Sequence, residues 1–221
     1  MSRSKQNTII LVMMLMLLST VLGGCNLPGM NNQSASANVP NLLFEDNFSN
    51  PTSGWEVSSQ GGLKDYYNGT YHISIADPNI FSWSVAQQSY GDIAISVDAA
   101  FTGPAEMAEL GVICRMQNSQ DFYFMTIRSD GAFAVFKMYQ GNEFFIGMEG
   151  YQFSSAIKTG LNTNQIEVIC RGENLSLFVN SEHLITVQDS NYQVGDVGVL
   201  AGAFDEPGVN VYFDNFRVTQ P

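Results

Sequence analysis

The chain has 221 residues, with 9 basic and 21 acidic side chains and a formal net charge of −12. No basic stripe interrupts this acidity, which excludes nucleic acid as a partner. Aromatic residues make up 12% of the chain, enough to supply the core of a sizeable domain.

The N-terminus predicts an exported protein. Arg3 and Lys5 precede an apolar run from Ile9 to Leu18, and small residues follow up to the sequence LGGC, which ends at Cys25. A charged start, a short apolar run and a small-residue cleavage site are typical of a secretory signal, and the run is too short for a membrane span. LGGC resembles the bacterial lipobox, which implies a signal over residues 1–24 and lipidation of Cys25. An ordinary signal peptide with an accidental cysteine is the alternative.

Residues 25–41 carry no charge and are rich in Asn, Ser, Ala and Pro, a composition typical of a flexible tether. The folded domain is therefore expected over residues 42–221. A lipidated Cys25 would make the lipid bilayer a partner and anchor the domain to the cell envelope, facing the exterior or the periplasm. Without Arg3 and Lys5, 7 basic residues remain against 21 acidic ones, a net charge of −14.

The rest of the chain predicts an all-β fold, because short alternating runs are separated by Gly, Asn, Asp and Pro and no stretch has helical periodicity. Many short strands at this spacing favour a two-sheet antiparallel sandwich or jelly roll. The predicted strands are Leu43–Phe48, Thr70–Ile75, Ile93–Phe101, Leu110–Gln117, Phe122–Arg128, Ala132–Tyr139, Gln165–Arg171, Asn174–Val179, His183–Asp189, Asp196–Ala203 and Val209–Val218.

The tetrapeptide VICR occurs twice and contains Cys114 and Cys170. Strand alternation places both cysteines on the apolar face and turns Arg115 and Arg171 outward. Burial makes a thiol a poor nucleophile, and neither strand contains a histidine, so catalysis and zinc binding are not expected there. A disulfide and two separate core thiols both remain open, because the sequence does not give the Cα separation.

Four segments follow one order along the chain: FEDNFSNPTSGW at 44–55, GVICRMQNSQDFYFMTIRSDGAFAVFKM at 111–138, LSLFVNSEHLITVQDSNYQVGDVGVLAG at 175–202 and VYFDNFRV at 211–218. Their order and spacing resemble the concanavalin A-like lectin/glucanase jelly rolls, in particular the laminin-G-like and 3-keto-disaccharide-hydrolase-like domains of bacterial surface proteins. The resemblance implies two antiparallel sheets, with the N-terminal and C-terminal strands paired.

The glucanases of this superfamily use carboxylates in an E-x-D-x-x-E arrangement on one strand. Glu106 and Glu109 are the nearest imitation, but the intervening Asp is missing and we interpret them as a solvated loop before a strand. Asp205 and Glu206 precede Pro-Gly and are typical of a turn, and two histidines do not assemble a Ser-His-Asp set. No catalytic residue is therefore predicted, and a 3-keto-disaccharide hydrolase activity would rest on fold analogy alone.

Carbohydrate binding needs aromatic faces for sugar rings and planar polar groups for hydroxyls. For each aromatic residue, core packing is the alternative. Because neighbours in a strand alternate, at least one residue of Phe122-Tyr123-Phe124 is expected to face outward. The predicted ligand-binding residues are Trp83, Arg115, Tyr123, Arg128, Tyr139 and Arg171.

Calcium is a further candidate cofactor that the laminin-G resemblance implies. Asp46 and Asp214, with Asn47 and Asn215, are expected to converge where the terminal strands meet, and Ca²⁺ requires six to eight oxygens. The alternative is that these side chains satisfy backbone groups at turns and strand ends. Three function classes remain: a surface-tethered glycan-binding module, a sugar-active hydrolase, and a structural or protein-binding envelope domain.

Overall fold

The computed structural model describes residues 41–103 and 107–221. The predicted signal, Cys25 and Glu106 lie outside these ranges. The described residues form fifteen β-strands and no helix, so that part of the chain contains no helix capable of crossing a membrane. The all-β prediction is confirmed.

The strands form two antiparallel sheets. The eight-stranded sheet contains β1 Leu42–Asp46, β2 Leu63–Tyr67, β3 Thr70–Ile75, β5 Ile93–Thr102, β11 Asn164–Arg171, β12 Asn174–Val179, β13 Glu182–Gln188 and β15 Val209–Thr219. The seven-stranded sheet contains β4 Phe81–Tyr90, β6 Ala108–Asn118, β7 Asp121–Arg128, β8 Ala132–Tyr139, β9 Asn142–Phe145, β10 Gln152–Phe153 and β14 Gly195–Ala203.

Each sheet combines hairpins of consecutive strands with pairings between distant parts of the chain, such as β5 with β15 and β14 with β4. The order of the first sheet is β13-β12-β11-β5-β15-β3-β2, with β1 on β15, and that of the second is β10-β8-β7-β6-β14-β4, with β9 on β8. The expected pairing of the terminal strands is confirmed, since Glu45 of β1 lies opposite Arg217 of β15.

The main core fills the space between the inner faces of the two sheets. Ile73, Ile95 and Val168 of the eight-stranded sheet and Val112 and Val199 of the other are all fully buried. Alternation explains this layer, because every second residue of each strand points inward. The result is a sandwich whose sheets are held by apolar side chains.

Cys114 of β6 and Cys170 of β11 form a disulfide across this core, with their Cα atoms 7.0 Å apart. Both side chains are fully buried, as alternation predicted. The bond links the central strands of opposite sheets and closes a sequence separation of 56 residues. The repeated VICR segment therefore has a structural role.

All eleven predicted strands are present, but β2, β4, β9 and β10 were not predicted. The strand β4 is hard to recognise because two serines occupy its inward positions. Ser84 is tolerated there because its Oγ accepts a hydrogen bond from the Glu56 backbone N–H at 3.2 Å. Trp83, one of the predicted ligand-binding residues, lies in this strand at the edge of its sheet.

Candidate functional site

The outer face of the seven-stranded sheet, which points away from the main core, carries a second apolar layer instead of polar side chains. We name five residues the aromatic face: Phe81 and Trp83 of β4, Phe122 and Phe124 of β7, and Phe136 of β8. The three β7 and β8 rings are at most 1% exposed, whereas the two β4 rings are half-buried. A solvated sheet face normally alternates to polar residues, so this layer is unusual.

The rings of the aromatic face form a continuous series across the sheet. Trp83 lies 5.7 Å from Phe122, and Phe124 lies 5.4 Å from Phe81 and 4.8 Å from Phe136, between ring centroids. Offset and tilted contacts at these separations are favourable beyond the area that they bury. The series therefore forms a rigid aromatic layer, of which the Phe81 and Trp83 rings reach solvent.

Cross-strand register explains how rings from β4 and β7 meet over the strands between them. Leu200 of β14 and Gly111 of β6 lie between Trp83 and Thr126 in one row of partners. A Cβ at Gly111 would lie 2.2 Å from the Met125 carbonyl oxygen, so this position has no room for a side chain. The missing side chain allows β7 and the Thr126 methyl group to pack closely against β6 at this point.

A buried carboxylate lies beside the aromatic face. Glu109 is only 5% exposed, and its Oε1 accepts hydrogen bonds from the hydroxyls of Thr126 at 2.5 Å and Tyr151 at 2.9 Å. Within the described residues, Oε2 accepts no hydrogen bond from a protein group. Gly202, the register partner of Glu109, leaves this oxygen without a side chain above it, because a Cβ there would lie 3.3 Å from Oε2.

The environment of Glu109 favours its neutral form. Burial raises the pKa of this carboxyl to about 7, while the hydrogen bonds from Thr126 and Tyr151 oppose the rise and Glu143 adds to it. Burial and the adjacent Glu109 also raise the pKa of the Tyr151 hydroxyl. Near neutral pH, Glu109 is therefore both a hydrogen-bond donor and an acceptor.

Arg128 borders this carboxylate. It is the register partner of Glu109, and its guanidinium lies 4.5 Å from the Tyr151 ring centroid and 5.3 Å from that of Phe204. It also forms an ion pair with Asp130. Cation–π contacts and the ion pair together fix the guanidinium plane at the rim of the aromatic face.

Of the predicted ligand-binding residues, the structure places only Trp83 and Arg128 on this outer face. Tyr139 is 40% exposed but alternates with Phe136 and Met138, so its side chain leaves β8 on the opposite face. Arg171 is exposed at the end of β11, in the other sheet. The structure therefore distributes the predicted ligand-binding residues over more than one surface.

The prediction that Arg115 lines a ligand surface is also wrong, since its side chain is fully buried. The backbone has φ of 54° there, and the register of β6 shifts at the same point. This irregularity breaks the alternation and turns the guanidinium inward. It donates to the carbonyl oxygens of Gly172 at 2.7 Å, Tyr192 at 3.1 Å and Gly91 at 3.4 Å, and to Asp92 at 3.1 Å.

Tyr123 is likewise a core residue and not a ligand-binding residue. It pairs with Cys114 across the β6–β7 ladder, and residues paired in this way share a face. Its hydroxyl donates to Asp189 at 2.5 Å and accepts from the Tyr192 backbone N–H at 3.0 Å. The outward residues of this stretch are Phe122 and Phe124, which sequence reasoning did not identify.

The predicted calcium ligands converge only in part. Asp46, Asn47 and Asn215 line one cleft of about 390 Å³ where the terminal strands meet, and Asp214 is not among its lining residues. Both oxygens of Asp46 accept hydrogen bonds within the protein, from the Phe48 backbone N–H at 2.8 Å and Trp55 Nε1 at 3.0 Å. Asp214 lies opposite Asp98 on the outer face of the sheet. The described residues contain no group of three or more acidic, His or Cys side chains able to hold a metal.

The interpretation of Glu109 as part of a solvated loop is wrong, because it lies inside β6 and is buried. Its proposed partner Glu106 lies outside the described residues. The acidic residue that raises the pKa of Glu109 is Glu143 of β9. Partial desolvation raises the pKa of Glu143 as well. The turn residues Asp205 and Glu206 line a cleft of about 350 Å³ with Asp130 and Phe204.

The two sheets and their strand order define the domain as a concanavalin A-like jelly-roll sandwich. It is similar to the carbohydrate binding module CBM66 from Bacillus subtilis, with a TM-score of 0.62 and 14% identity, covering 76% of this chain and 96% of that one. A β-glucanase from Bacillus licheniformis has a TM-score of 0.57 and 10% identity over 80% of this chain and 98% of its own. A structure described as a native glycosidic hydrolase has a TM-score of 0.60 and 10% identity, with coverages of 84% and 99%.

No protein-family model matches the sequence, and no curated protein does. At identities of 10–14%, the likeness to solved structures establishes the fold alone. The function has to be argued from the aromatic face and the groups around it.

Proposed function

We propose that the domain binds a carbohydrate at the aromatic face without cleaving it. The observation that carries the proposal is the continuous series of rings on a sheet face that is not part of the main core. Aromatic rings provide flat apolar surfaces for the C–H faces of sugar rings. The half-buried Trp83 and Phe81, with Phe145 at 38% exposure beside Phe136, are the parts that a ligand can reach.

The polar groups at the rim suit sugar hydroxyls. Oε2 of Glu109 has no hydrogen-bond partner among the residues that the structure describes, and at neutral pH the carboxyl exchanges between donor and acceptor forms. Sugar hydroxyls both donate and accept, so either form of Glu109 satisfies one. Tyr151 is fixed by its hydrogen bond to Glu109 and by the cation–π contact with Arg128. A rigid rim of this kind reduces the ordering cost of binding.

Charge selects a neutral glycan over an acidic one. Glu109 and Glu143 lie at the aromatic face, and Asp205 and Glu206 line the adjoining cleft. The cation at the rim, Arg128, is already paired with Asp130. With Glu143 and Asp205 nearby and a net charge of −12 on the chain, uronate or sulfate groups would meet a negative potential.

Sugar hydrolysis is the second candidate, and the pKa of Glu109 is the observation that favours it. A carboxyl with a pKa of about 7 is suited to general acid catalysis at neutral pH. Glycosidases pair such an acid with a second carboxylate, for which Glu143 is the nearby group. The substitution Glu109→Gln separates the candidates: a hydrolase loses sugar release, whereas a binding module releases no sugar before or after the change.

We further propose that lipidated Cys25 anchors the domain to the cell envelope. The support is the LGGC sequence directly after the charged and apolar segments. Cells fed labelled palmitate are expected to label the wild-type chain and not Cys25→Ala, and the wild type is expected in the membrane fraction. An unlabelled wild-type chain in the soluble fraction would overturn this proposal.

The binding proposal is tested with the full-length protein, solubilised in a detergent without a sugar headgroup, on a panel of neutral and acidic polysaccharides. We expect saturable binding to a neutral class, weakened at least about tenfold by Trp83→Ala and by Phe145→Ala. Tyr67→Ala is the matched control, because Tyr67 is a 50% exposed aromatic residue of the other sheet. Absence of binding to every glycan would contradict the proposal and favour a structural or protein-binding role.

A further inference from the structure

We propose that a cleft at the edge of the aromatic face is a subsite for a single-sugar branch, so that the preferred ligand is a branched neutral polysaccharide. This inference rests on the proposed function. The cleft has a volume of about 220 Å³ and lies between the edge strand β4 and the segment that leads into β2. Its walls include Glu56, Lys64, Phe81, Ser82 and Trp83.

The cleft is continuous with the aromatic face. Phe81 and Trp83 belong to both, so a glycan that lies across the rings reaches the mouth of the cleft at β4. No strand pairs with the far side of β4 within the described part of the chain. A backbone running over the aromatic face can therefore direct a branch over this edge.

The cleft contains an ion pair between the buried Lys64 and the half-exposed Glu56, and both side chains can form further hydrogen bonds. Lys64 is 7% exposed, and its Nζ donates to Glu56 Oε2 at 2.7 Å and to the Trp83 carbonyl oxygen at 3.3 Å. An ammonium group has three N–H donors, so one remains. The side chain of Glu56 is half exposed and can accept from a further hydroxyl. Neighbouring sugar hydroxyls fit such a donor and acceptor pair, and the paired charges favour a neutral ring.

The other buried polar group in the wall is closed off from the cleft. Ser82 is 3% exposed, and its Oγ is buried without a hydrogen bond in the described structure. Its side chain belongs to the inward-facing set of β4, and a Cβ at Gly62 would lie 3.4 Å from this Oγ and 3.0 Å from the Ser74 carbonyl oxygen, so little space lies beside the hydroxyl. The polar groups of the wall that we assign to the ligand are therefore Lys64 and Glu56.

The size of the cleft argues for one ring. Sites for drug-sized ligands begin at about 300 Å³, and this cleft is smaller. It does not accommodate a polysaccharide backbone, but a single substituent ring fits such a volume. The aromatic face would then bind the backbone and the cleft would recognise the branch.

The test compares linear and branched forms of the same backbone: xylan with and without arabinose, mannan with and without galactose, and β-glucan with and without single glucose branches. For the backbone that the wild type binds, we expect the branched form to bind about tenfold more tightly. Lys64→Met and Glu56→Gln are expected to reduce this ratio to about one and to leave binding of the linear form unchanged.

Two controls separate a ligand role from a structural one. Lys137→Met removes a lysine that is paired with Asp189 away from the cleft, and it is expected to keep the preference for branches. Ser82→Ala removes a hydroxyl that is closed off from the cleft, so it is expected to keep the preference as well. Equal wild-type binding of linear and branched forms, or parallel loss of both in the variants, would overturn the inference alone. Wild-type binding to neither form of any backbone would overturn the proposed function as well.

Discussion

The substitution Glu109→Gln should change the pH dependence of stability in a calculable way. The carboxyl has a pKa of about 7 in the folded chain against 4.5 for the unperturbed group, so the folded state retains a proton that the unfolded state releases. Stability from this group is present below pH 4.5 and is lost as the pH rises to about 7. The difference amounts to about 3 kcal/mol, because one pH unit corresponds to about 1.4 kcal/mol. Glutamine keeps the acceptor for Thr126 and Tyr151 but does not titrate.

Urea unfolding at pH 5 and pH 8.5 measures this effect. We subtract the unfolding free energy of the wild type from that of Glu109→Gln at each pH. This difference should be about 3 kcal/mol more positive at pH 8.5 than at pH 5. Any effect of the amide on stability that does not depend on pH cancels when the two pH values are compared. Glu182→Gln, which changes an exposed glutamate of β13, should show no such difference. A Glu109→Gln variant with the same pH dependence as the wild type would refute the assigned burial of this carboxyl.

Three further predictions concern the scaffold. Replacing both Cys114 and Cys170 with Ala should lower the unfolding free energy by about 4 kcal/mol, which is the loop entropy that the disulfide removes at a sequence separation of 56. An unchanged urea midpoint would contradict the cross-sheet bond. Arg115→Met should lower the unfolding free energy by at least about 3 kcal/mol, because three carbonyl oxygens and a carboxylate lose their donor. Arg171→Ala, which changes an exposed arginine, should lower it by less than about 0.5 kcal/mol. Equal melting temperatures for the two variants would contradict the burial of Arg115. Chelator should not shift the melting temperature, since both oxygens of Asp46 are hydrogen bonded within the protein, and a clear decrease in EDTA would show a bound ion.

Alternation alone predicted much of the fold. It identified eleven strands and the inward direction of Cys114 and Cys170, and the terminal strands were correctly expected to pair. These features depend on the alternation of side chains between the two faces of a strand and on which set is apolar, and the sequence of one strand shows both. They were predictable because each strand buries its inward face in the same core.

The candidate site was largely missed because it depends on relations between strands. Alternation separates Tyr123 from Phe122 and Phe124, but only the pairing of Tyr123 with Cys114 shows which set points inward. Arg115 was misplaced because its positive φ at a register shift has no marker in the sequence. Glu109 was misplaced in a solvated loop, because the contact with Tyr151 that helps to enclose it comes from a residue 42 positions away.

The most direct test of the binding proposal is iodide quenching of tryptophan fluorescence, with and without a saturating neutral polysaccharide. The chain has two tryptophans, of which Trp55 is 4% exposed and Trp83 is half-buried at the aromatic face. Quenching therefore reports on Trp83, and the account predicts that bound glycan protects it in proportion to occupancy. Glycan that binds to the protein while Trp83 remains equally quenchable would contradict the aromatic face as the binding site.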